Sequence, residues 1–336
     1  MIRFFVELVR YFARLIGSIL TASALLFLAI EVSIPGGFRA VLFPNGFNPN
    51  SPRQMAVVDE YHLDDPVLER WALWVGDAMR GDFGTSTRNR EPVVDLIWPR
   101  LSISLELMLV GVGLAVAFGL ILGLAAAMWD GRRRGSAIDV VLGFSQSVPV
   151  FITSLLLIRV FALEFGWLPP ATWVRPTDSF GTHLRHLVLP AATLAMAEMG
   201  TIGRVIRADV LRVVGEEYIT AASAKGLSSR YVLFRHALRP ASLGLLNVIG
   251  LSIGSLLSGA ILVELIFGIG GLGQLVFESS IQRDLPLLLG LTTYLVAVYV
   301  TLNTIADIAM RAIDPRIPQR SLRRPRLLGG GTGPSH

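Results

Sequence analysis

Few residue patterns in this 336-residue chain are spaced for catalysis or cofactor binding. His183 and His186 stand three positions apart, a spacing that can bind a metal, but the chain has no cysteine and no obvious third ligand nearby. Residues 268–273 have the form Gly-x-Gly-x-x-Gly, which binds dinucleotides only between a strand and a helix. Neither a Gly-x4-Gly-Lys-Ser/Thr nor a His-Glu-x-x-His sequence occurs. We therefore predict no catalytic residue and no metal site in this chain.

A polar insert of about 35 residues between Arg204 and Arg239 interrupts the apolar stretches of the chain. Residues 209–224 favour a helix, and Lys225-Gly226 supply a C-terminal cation followed by a glycine that can adopt positive φ. The last helical positions carry small side chains: Ala221, Ala222, Ser223 and Ala224. Such a slim helix permits the close approach of another backbone, so the pattern predicts a docking element. The alternative is an amphipathic surface helix.

Hydrophobic segments must position this insert. The chain is 52% hydrophobic and 16% charged, whereas soluble domains carry about a quarter charged residues. Its mean hydropathy is +0.59. Apolar segments of roughly spanning length cover residues 15–34, 101–129, 137–163, 186–202, 241–267 and 285–310. The sequence therefore predicts an all-α membrane protein with six transmembrane helices.

Basic residues are concentrated in the N-terminus, the second-to-third loop, the polar insert and the tail. Because these regions alternate along the chain, the positive-inside rule places both termini in the cytoplasm. Their position beside the spans indicates contact with anionic lipid head groups, and no nucleic acid is expected. Helical spacing over residues 65–80 predicts an amphipathic helix at the outer interface.

Three regions follow from this organisation. Residues 1–99 are expected to form one transmembrane helix and a large extracytoplasmic loop, and residues 100–312 a core of five helices that includes the insert at 204–239. Residues 313–336 are rich in Arg, Pro and Gly, which predicts a disordered basic cytoplasmic tail.

Ionisable residues within or near the spans are expected to face other helices or a wet cavity, because their insertion into lipid costs about 3 kcal/mol. These residues are Glu198, Glu264, Asp307 and Arg159. Helix pairing, such as Asp307 with Arg311, is favoured over contact with a substrate. Glycines four positions apart predict close helix packing at Gly119 and Gly123, and at Gly250 and Gly254.

The polar insert resembles the coupling loop of ABC importer permeases, written as Glu-Ala-Ala, three residues, then Gly. The equivalent here is Thr220-Ala221-Ala222, three residues and Gly226, with Thr in place of Glu. Further segments resemble the dipeptide/oligopeptide/nickel branch of that family: Gly81-Asp82-Phe83-Gly84-Thr85-Ser86, Phe165-Gly166-Trp167-Leu168-Pro169, Arg235-His236-Ala237-Leu238-Arg239 and Asp314-Pro315-Arg316-Ile317. The resemblance covers about residues 80–318. The long first outer loop is typical of the first, B-type, of the two paired permease subunits.

The resemblance implies a type I ABC importer transmembrane domain in the bacterial plasma (inner) membrane, taking up a peptide-class solute. Its implied partners are a second homologous permease, two cytoplasmic ATP-binding subunits and an extracytoplasmic solute-binding protein. ATP and Mg would bind the partner subunits, and this chain would bind no cofactor. A different class, an ion-coupled secondary transporter of small polar solutes, would need a carboxylate relay and would leave the insert unexplained.

The resemblance also assigns two groups of site residues. The ATPase would dock on Glu217, Tyr218, Ala221, Ala222, Ala224, Lys225, Gly226 and Leu227. The outer gate loop would contain Gly270, Gly271 and Gly273, where relatives usually carry proline at position 270.

Overall fold

The computed structural model describes residues 2–43, 45–216 and 238–313. Its elements in these ranges are helices, as the sequence predicts, and the extended pairing found there is one bridge between Thr85 and Pro92. The helices are α1 (Ile2–Ser33), α2 (Gly37–Leu42), α3 (Pro52–Glu60), α4 (Val67–Ala78), α5 (Val93–Met128), α6 (Arg133–Ser147), α7 (Val150–Leu157) continued by a π-helix (Ile158–Glu164), α8 (Phe180–Val214), α9 (Leu238–Phe267), α10 (Leu272–Gln282) and α11 (Leu285–Ile313).

Three of the described helices are long and apolar enough to cross a membrane, through the segments Leu8–Ser33, Val93–Met128 and Leu285–Ile308. The count rises to five if each of two bent pairs forms one span. One pair joins α6 to α7 with its π-helix, and the other joins residues 254–267 of α9 to α10. Helix α8 is not in this group, because His183, Arg185, Glu198 and several arginines lower its hydropathy. The count of six transmembrane helices stays a prediction.

The expectation of one continuous span over residues 137–163 was wrong. Helix α6 ends at Ser147, Val148 is extended with φ −84° and ψ 123°, and the next helix leaves at an angle of 107°. Pro149 causes this break, since proline lacks an N–H donor and disfavours the α conformation at the preceding residue. Hydropathy did not reveal the break because it lies within an apolar stretch.

Helix α4 confirms the helical spacing predicted over residues 65–80, and it packs against α1. The indole Nε1 of Trp71 donates to Ser23 Oγ at 3.1 Å. Arg70 is 6% exposed, and its guanidinium lies 2.9 Å from the Glu31 carboxylate. These bonds hold the long segment before α5 against the first helix. Its place at the outer interface stays a prediction.

Helices α5 and α8 run parallel and make the most extensive helix contact of the described chain. A Cβ built on Gly119 would lie 2.8 Å from Ile202 Cγ2, and one built on Gly123 would lie 2.5 Å from the carbonyl oxygen of Gly203. Both separations are too short for any side chain. The close packing predicted for this glycine pair is therefore confirmed, and it leaves the two backbones almost in contact.

Replacing Gly123 with alanine is expected to lower stability by about 1–3 kcal/mol, because the added methyl group forces α5 and α8 apart. Gly113 on the same helix is the matched control, since a Cβ there meets nothing within 4 Å. Gly113→Ala should be neutral or stabilising by up to about 1 kcal/mol through helix propensity. Thermal unfolding of the purified protein in detergent measures both, and equal melting temperatures for the two variants would contradict this packing.

The two ends of the helix bundle are formed by different elements. The Gly268 end contains the start of α5, the loop between α9 and α10, and the start of α11, where Leu285 and Leu289 pack against Phe27 of α1. The Asp130 end contains the turn between α5 and α6 and the C-terminus of α8. Since α8 leads directly into the polar insert, the insert is attached at the Asp130 end.

Candidate functional site

The residues predicted to dock an ATPase lie outside the described part of the chain. They are Glu217, Tyr218, Ala221, Ala222, Ala224, Lys225, Gly226 and Leu227, all within the undescribed segment 217–237. What the structure places are the two helices that enclose this segment: α8 ends at Val214 and α9 begins at Leu238. The docking role of these residues stays a prediction.

The glycine loop, residues 268–273, connects α9 to α10 by a sharp turn. Gly268 and Gly270 have φ values of +60° and +72°, a region that side chains rarely adopt. The two helices meet at an angle of 77°. A helix rather than a strand precedes the loop, so the dinucleotide interpretation of its Gly-x-Gly-x-x-Gly pattern does not apply.

The carboxylate of Glu264 holds this loop from the end of α9. It is 1% exposed, and its Oε2 accepts from the backbone N–H of Gly273 at 2.7 Å and of Gln274 at 3.3 Å. Its Oε1 accepts from the Ser104 hydroxyl of α5 at 2.6 Å. The first N–H groups of a helix have no partner within the helix, so Glu264 completes the N-terminus of α10 and joins it to α9 and α5.

Two of the three predicted loop glycines, Gly271 and Gly273, permit this close contact. A Cβ on Gly271 would lie 2.5 Å from the carboxyl carbon of Glu264, and one on Gly273 would lie 2.5 Å from Ile261 Cα. The Gly270 N–H donates to Gln274 Oε1 at 2.9 Å. Gly271 and Gly273 thus lie against the buried Glu264 carboxylate, whereas Gly270 lies in the same loop and bonds to Gln274.

Ser86, the last residue of the Gly81–Ser86 segment, lies at the same end of the bundle against the start of α11. Its buried hydroxyl donates to the Asp284 carboxylate, which also accepts from the Thr87 N–H at 3.2 Å and from the Leu287 N–H at 3.4 Å. Asp284 is 1% exposed and stands immediately before α11. This carboxylate therefore fastens the segment before α5 to the N-terminus of the last helix.

A cavity of about 240 Å³ lies beside this contact, between α1, α4 and the start of α11. Tyr61 lines it and donates its hydroxyl to the Thr85 carbonyl at 3.3 Å. Burial raises the pKa of the Tyr61 phenol above its usual range, and the charges of Glu60 and Asp284 raise it further. The phenol therefore stays a neutral donor at physiological pH.

His183 and His186 do not meet as metal ligands. Nδ1 of His183 lies 2.8 Å from the Val174 carbonyl oxygen, and Nε2 lies 2.8 Å from Glu106 Oε1. His186 contacts the Thr182 carbonyl of its own helix. Within the described ranges, no group of three or more histidines and carboxylates could hold a metal ion.

The other carboxylates of the spans are bonded to neighbouring helices or turns. Glu198 of α8, 8% exposed, accepts from the Ser255 hydroxyl of α9 at 2.6 Å. Asp307 of α11 lies 3.4 Å from Arg14 of α1. The predicted partner of Asp307, Arg311, has a side chain outside the described part of the chain. Helix pairing thus accounts for both carboxylates.

Sequence reasoning had missed Ser104, Asp284 and Glu106. Each bonds to a partner far away in the chain, across 160, 198 and 77 residues respectively. Only the position of Asp284 carried a local signal, because an aspartate immediately before an apolar helix is a common N-terminal cap.

Comparison with known proteins identifies the family that this chain resembles. Residues 119–319 match the family model described as binding-protein-dependent transport system inner membrane component. The oligopeptide transport system permease protein AppB of Bacillus subtilis is 37% identical, over 77% of this chain and 83% of that protein. The dipeptide transport system permease protein DppB of Bacillus subtilis is 33% identical, over 92% and 97% of the two chains.

This chain belongs to the family of binding-protein-dependent transport system inner membrane components. The probable peptide ABC transporter permease protein y4tP of Sinorhizobium fredii is a further relative, 32% identical over 87% of this chain and 92% of its own. Among solved structures, the MetNI methionine ABC transporter in an inward-facing conformation matches with a TM-score of 0.54 at 17% identity, over 65% of this chain and 96% of that chain. That likeness concerns the fold.

Membership in this family makes the chain a permease subunit of an ATP-driven, binding-protein-dependent uptake system. It is a multi-pass component of the inner membrane. Because ATP is hydrolysed by separate subunits of such systems, this permease is not itself an enzyme.

Proposed function

We propose that this permease is the B-type member of a pair, and that it forms with a second homologous permease the translocation path for a peptide-class solute. The observation that carries the proposal is the 37% identity with an oligopeptide permease over most of both chains. Two cytoplasmic ATP-binding subunits, which hold the ATP and Mg, and an extracytoplasmic solute-binding protein complete the assembly. The chain itself takes no cofactor and no nucleic acid.

In the proposed mechanism, the two ends of the bundle have different roles. Residues 216–237 of the insert dock on an ATP-binding subunit, and closure of the ATPases displaces α8 and α9, which enclose them. The glycine loop at the opposite end, anchored by Glu264, forms part of the outer gate. Alternating access follows if these displacements open the bundle towards the solute-binding protein.

An ion-coupled secondary transporter is not favoured, because the carboxylates it would need are engaged in structural bonds. Glu264 completes the N-terminus of α10, Glu198 accepts from α9, and Asp307 pairs with α1. A proton relay requires carboxylates that exchange protons with one another or with water. These three lie in separate contacts between different helices.

Six spans with both termini in the cytoplasm predict a definite labelling pattern. The chain has no cysteine, so single cysteines report the exposure of each loop to an impermeant maleimide added to intact cells. Residues expected to react from outside are Asn50, Arg175 and Gln282. Residues expected to be protected are Arg133, Ser229 and Arg324. Labelling of Ser229→Cys from outside would overturn this topology.

Copurification tests the proposed assembly. When the tagged permease is expressed with the second permease and the ATP-binding subunits of the proposed assembly, the whole set should elute together. The complex in liposomes should then hydrolyse ATP and take up tritiated di- and tripeptides with its binding protein. Elution of the permease without any ATP-binding subunit would argue against the proposal.

A further inference from the structure

Arg207 of α8 connects three elements at the Asp130 end of the bundle. Its Nη2 lies 2.7 Å from Asp130 Oδ1, in the turn between α5 and α6, and 3.3 Å from Asp139 Oδ2 of α6. These three side chains, which we call the Arg207 bridge, are 31%, 47% and 31% exposed. One guanidinium nitrogen thus bonds α8 to the turn that follows α5 and to α6.

The helices that the bridge joins are already in close contact. Besides the contact of Gly123 with Gly203, a Cβ on Gly203 would lie 2.6 Å from Leu142 Cδ2 of α6. Gln146 of α6 donates to the Thr201 hydroxyl of α8 at 3.0 Å. With so little side-chain volume between them, α5, α6 and α8 are in direct contact at this crossing, and the Arg207 bridge joins the same three elements beyond it.

The position of Arg207 along α8 gives the bridge its importance. It lies beyond the glycine crossing and about two helical turns before Val214, the last residue of the helix. Residues 216–237, which are proposed to dock on the ATPase, follow directly after the end of α8. A displacement of these docking residues is therefore transmitted along α8 to Arg207 before it reaches the crossing at Gly203.

The Arg207 bridge can also persist while α8 makes a small movement relative to α5 and α6. The Nε–H group of Arg207 is buried and has no partner in the part of the chain that the structure describes. A guanidinium presents donors in a fixed planar fork, so this spare N–H can bond one carboxylate while Nη2 keeps the other.

We propose that Arg207 is a positioning residue for energy coupling: through Asp130 and Asp139 it makes α5 and α6 follow the displacement of α8. This inference rests on the proposed docking of the insert on an ATPase. Partly exposed ion pairs contribute little to folding. Loss of the bridge should accordingly leave the complex assembled and reduce the transport obtained per ATP hydrolysed.

Four variants separate this role from a general effect on structure. Arg207→Gln removes the bridge, and Arg207→Lys keeps the charge but not the fork. The double variant Arg207→Asp with Asp139→Arg exchanges the charges across the two helices. Arg212→Gln is the matched control, because Arg212 lies on the same helix, is 70% exposed and pairs with Asp209 of its own helix.

The experiment uses the complete transporter in liposomes and measures ATP hydrolysis together with uptake of tritiated di- and tripeptides. Arg207→Gln should keep the wild-type subunit ratio and hydrolysis within about twofold, while uptake per ATP falls by about tenfold, a typical size for coupling between sites. Arg207→Lys should give an intermediate uptake per ATP. The charge-exchange double variant should recover much of the lost uptake per ATP, and Arg212→Gln should match the wild type.

Two results would overturn the inference. Unchanged uptake per ATP in Arg207→Gln would show that α5 and α6 follow α8 without the bridge. Loss of the ATP-binding subunits from that variant would show a role in assembly instead. If the wild-type permease itself copurifies with no ATP-binding subunit, the proposed function fails. That result differs from both outcomes for Arg207→Gln, because it concerns the unaltered protein.

Discussion

Substitution of Gly226 by aspartate is expected to abolish uptake while the amount of permease in the membrane stays unchanged. The sequence places Gly226 after a predicted helix of small residues, where a glycine can adopt positive φ and another backbone can approach closely. A carboxylate there adds bulk and negative charge at the centre of the predicted contact. Such a change costs about 2–4 kcal/mol, or roughly 30- to 1000-fold in affinity.

Gly215→Asp is the control for this substitution. Gly215 is exposed, has an ordinary φ of −75°, and lies before the predicted docking residues. The Gly215→Asp substitution should leave uptake near the wild-type value. Pull-down of the ATP-binding subunits by tagged Gly226→Asp permease, at the yield given by the wild type, would refute the docking role of Gly226.

Replacing Glu264 with alanine is expected to unfold the Gly268 end of the bundle at a lower temperature. The substitution leaves the Gly273 and Gln274 N–H groups and the Ser104 hydroxyl without their acceptor in a buried site. Unpaired buried donors cost about 1–3 kcal/mol each, so a total of about 3 kcal/mol is a conservative expectation. For a domain of this size that corresponds to a fall in melting temperature of roughly 6–12 °C.

Two further variants isolate the contribution of this carboxylate. Glu264→Gln keeps an oxygen acceptor for the α10 N-terminus and should lose less than half as much stability. Glu278→Ala, on α10 itself, removes a bond to the Gln274 side chain and should have little effect. Differential scanning fluorimetry in detergent measures all three. A melting temperature for Glu264→Ala equal to that of Glu278→Ala would contradict the role assigned to Glu264.

Hydropathy and residue spacing were enough to predict an all-helical membrane chain, the helix over residues 65–80 and the close contact at Gly119 and Gly123. They could not predict the bend at Pro149, because a proline within an apolar run can end a helix or sit at its first turn. Nor could they predict that α8 forms one helix from Phe180 to Val214. That helix carries too many charges to resemble a span over its whole length.

The candidate site was predictable in kind but not in its contacts. The resemblance singled out Gly270, Gly271 and Gly273, and the structure adds the reason for two of them: any Cβ on Gly271 or Gly273 would collide with α9. The partners of Glu264 and Asp307 come from helices distant in sequence, and no local pattern specifies such pairs. The docking residues of the insert rest on sequence alone.

Uptake by the reconstituted complex, with ATP supplied and the proton gradient collapsed by an uncoupler, tests the central claim most directly. If ATP drives this permease, uptake of tritiated di- and tripeptides should continue at the same rate without the gradient. Glu198→Gln should then lower stability more than it alters the dependence on ATP. Uptake that stops when the gradient collapses, and that becomes insensitive to pH in Glu198→Gln, would instead establish an ion-coupled transporter and remove the ATPase from the mechanism.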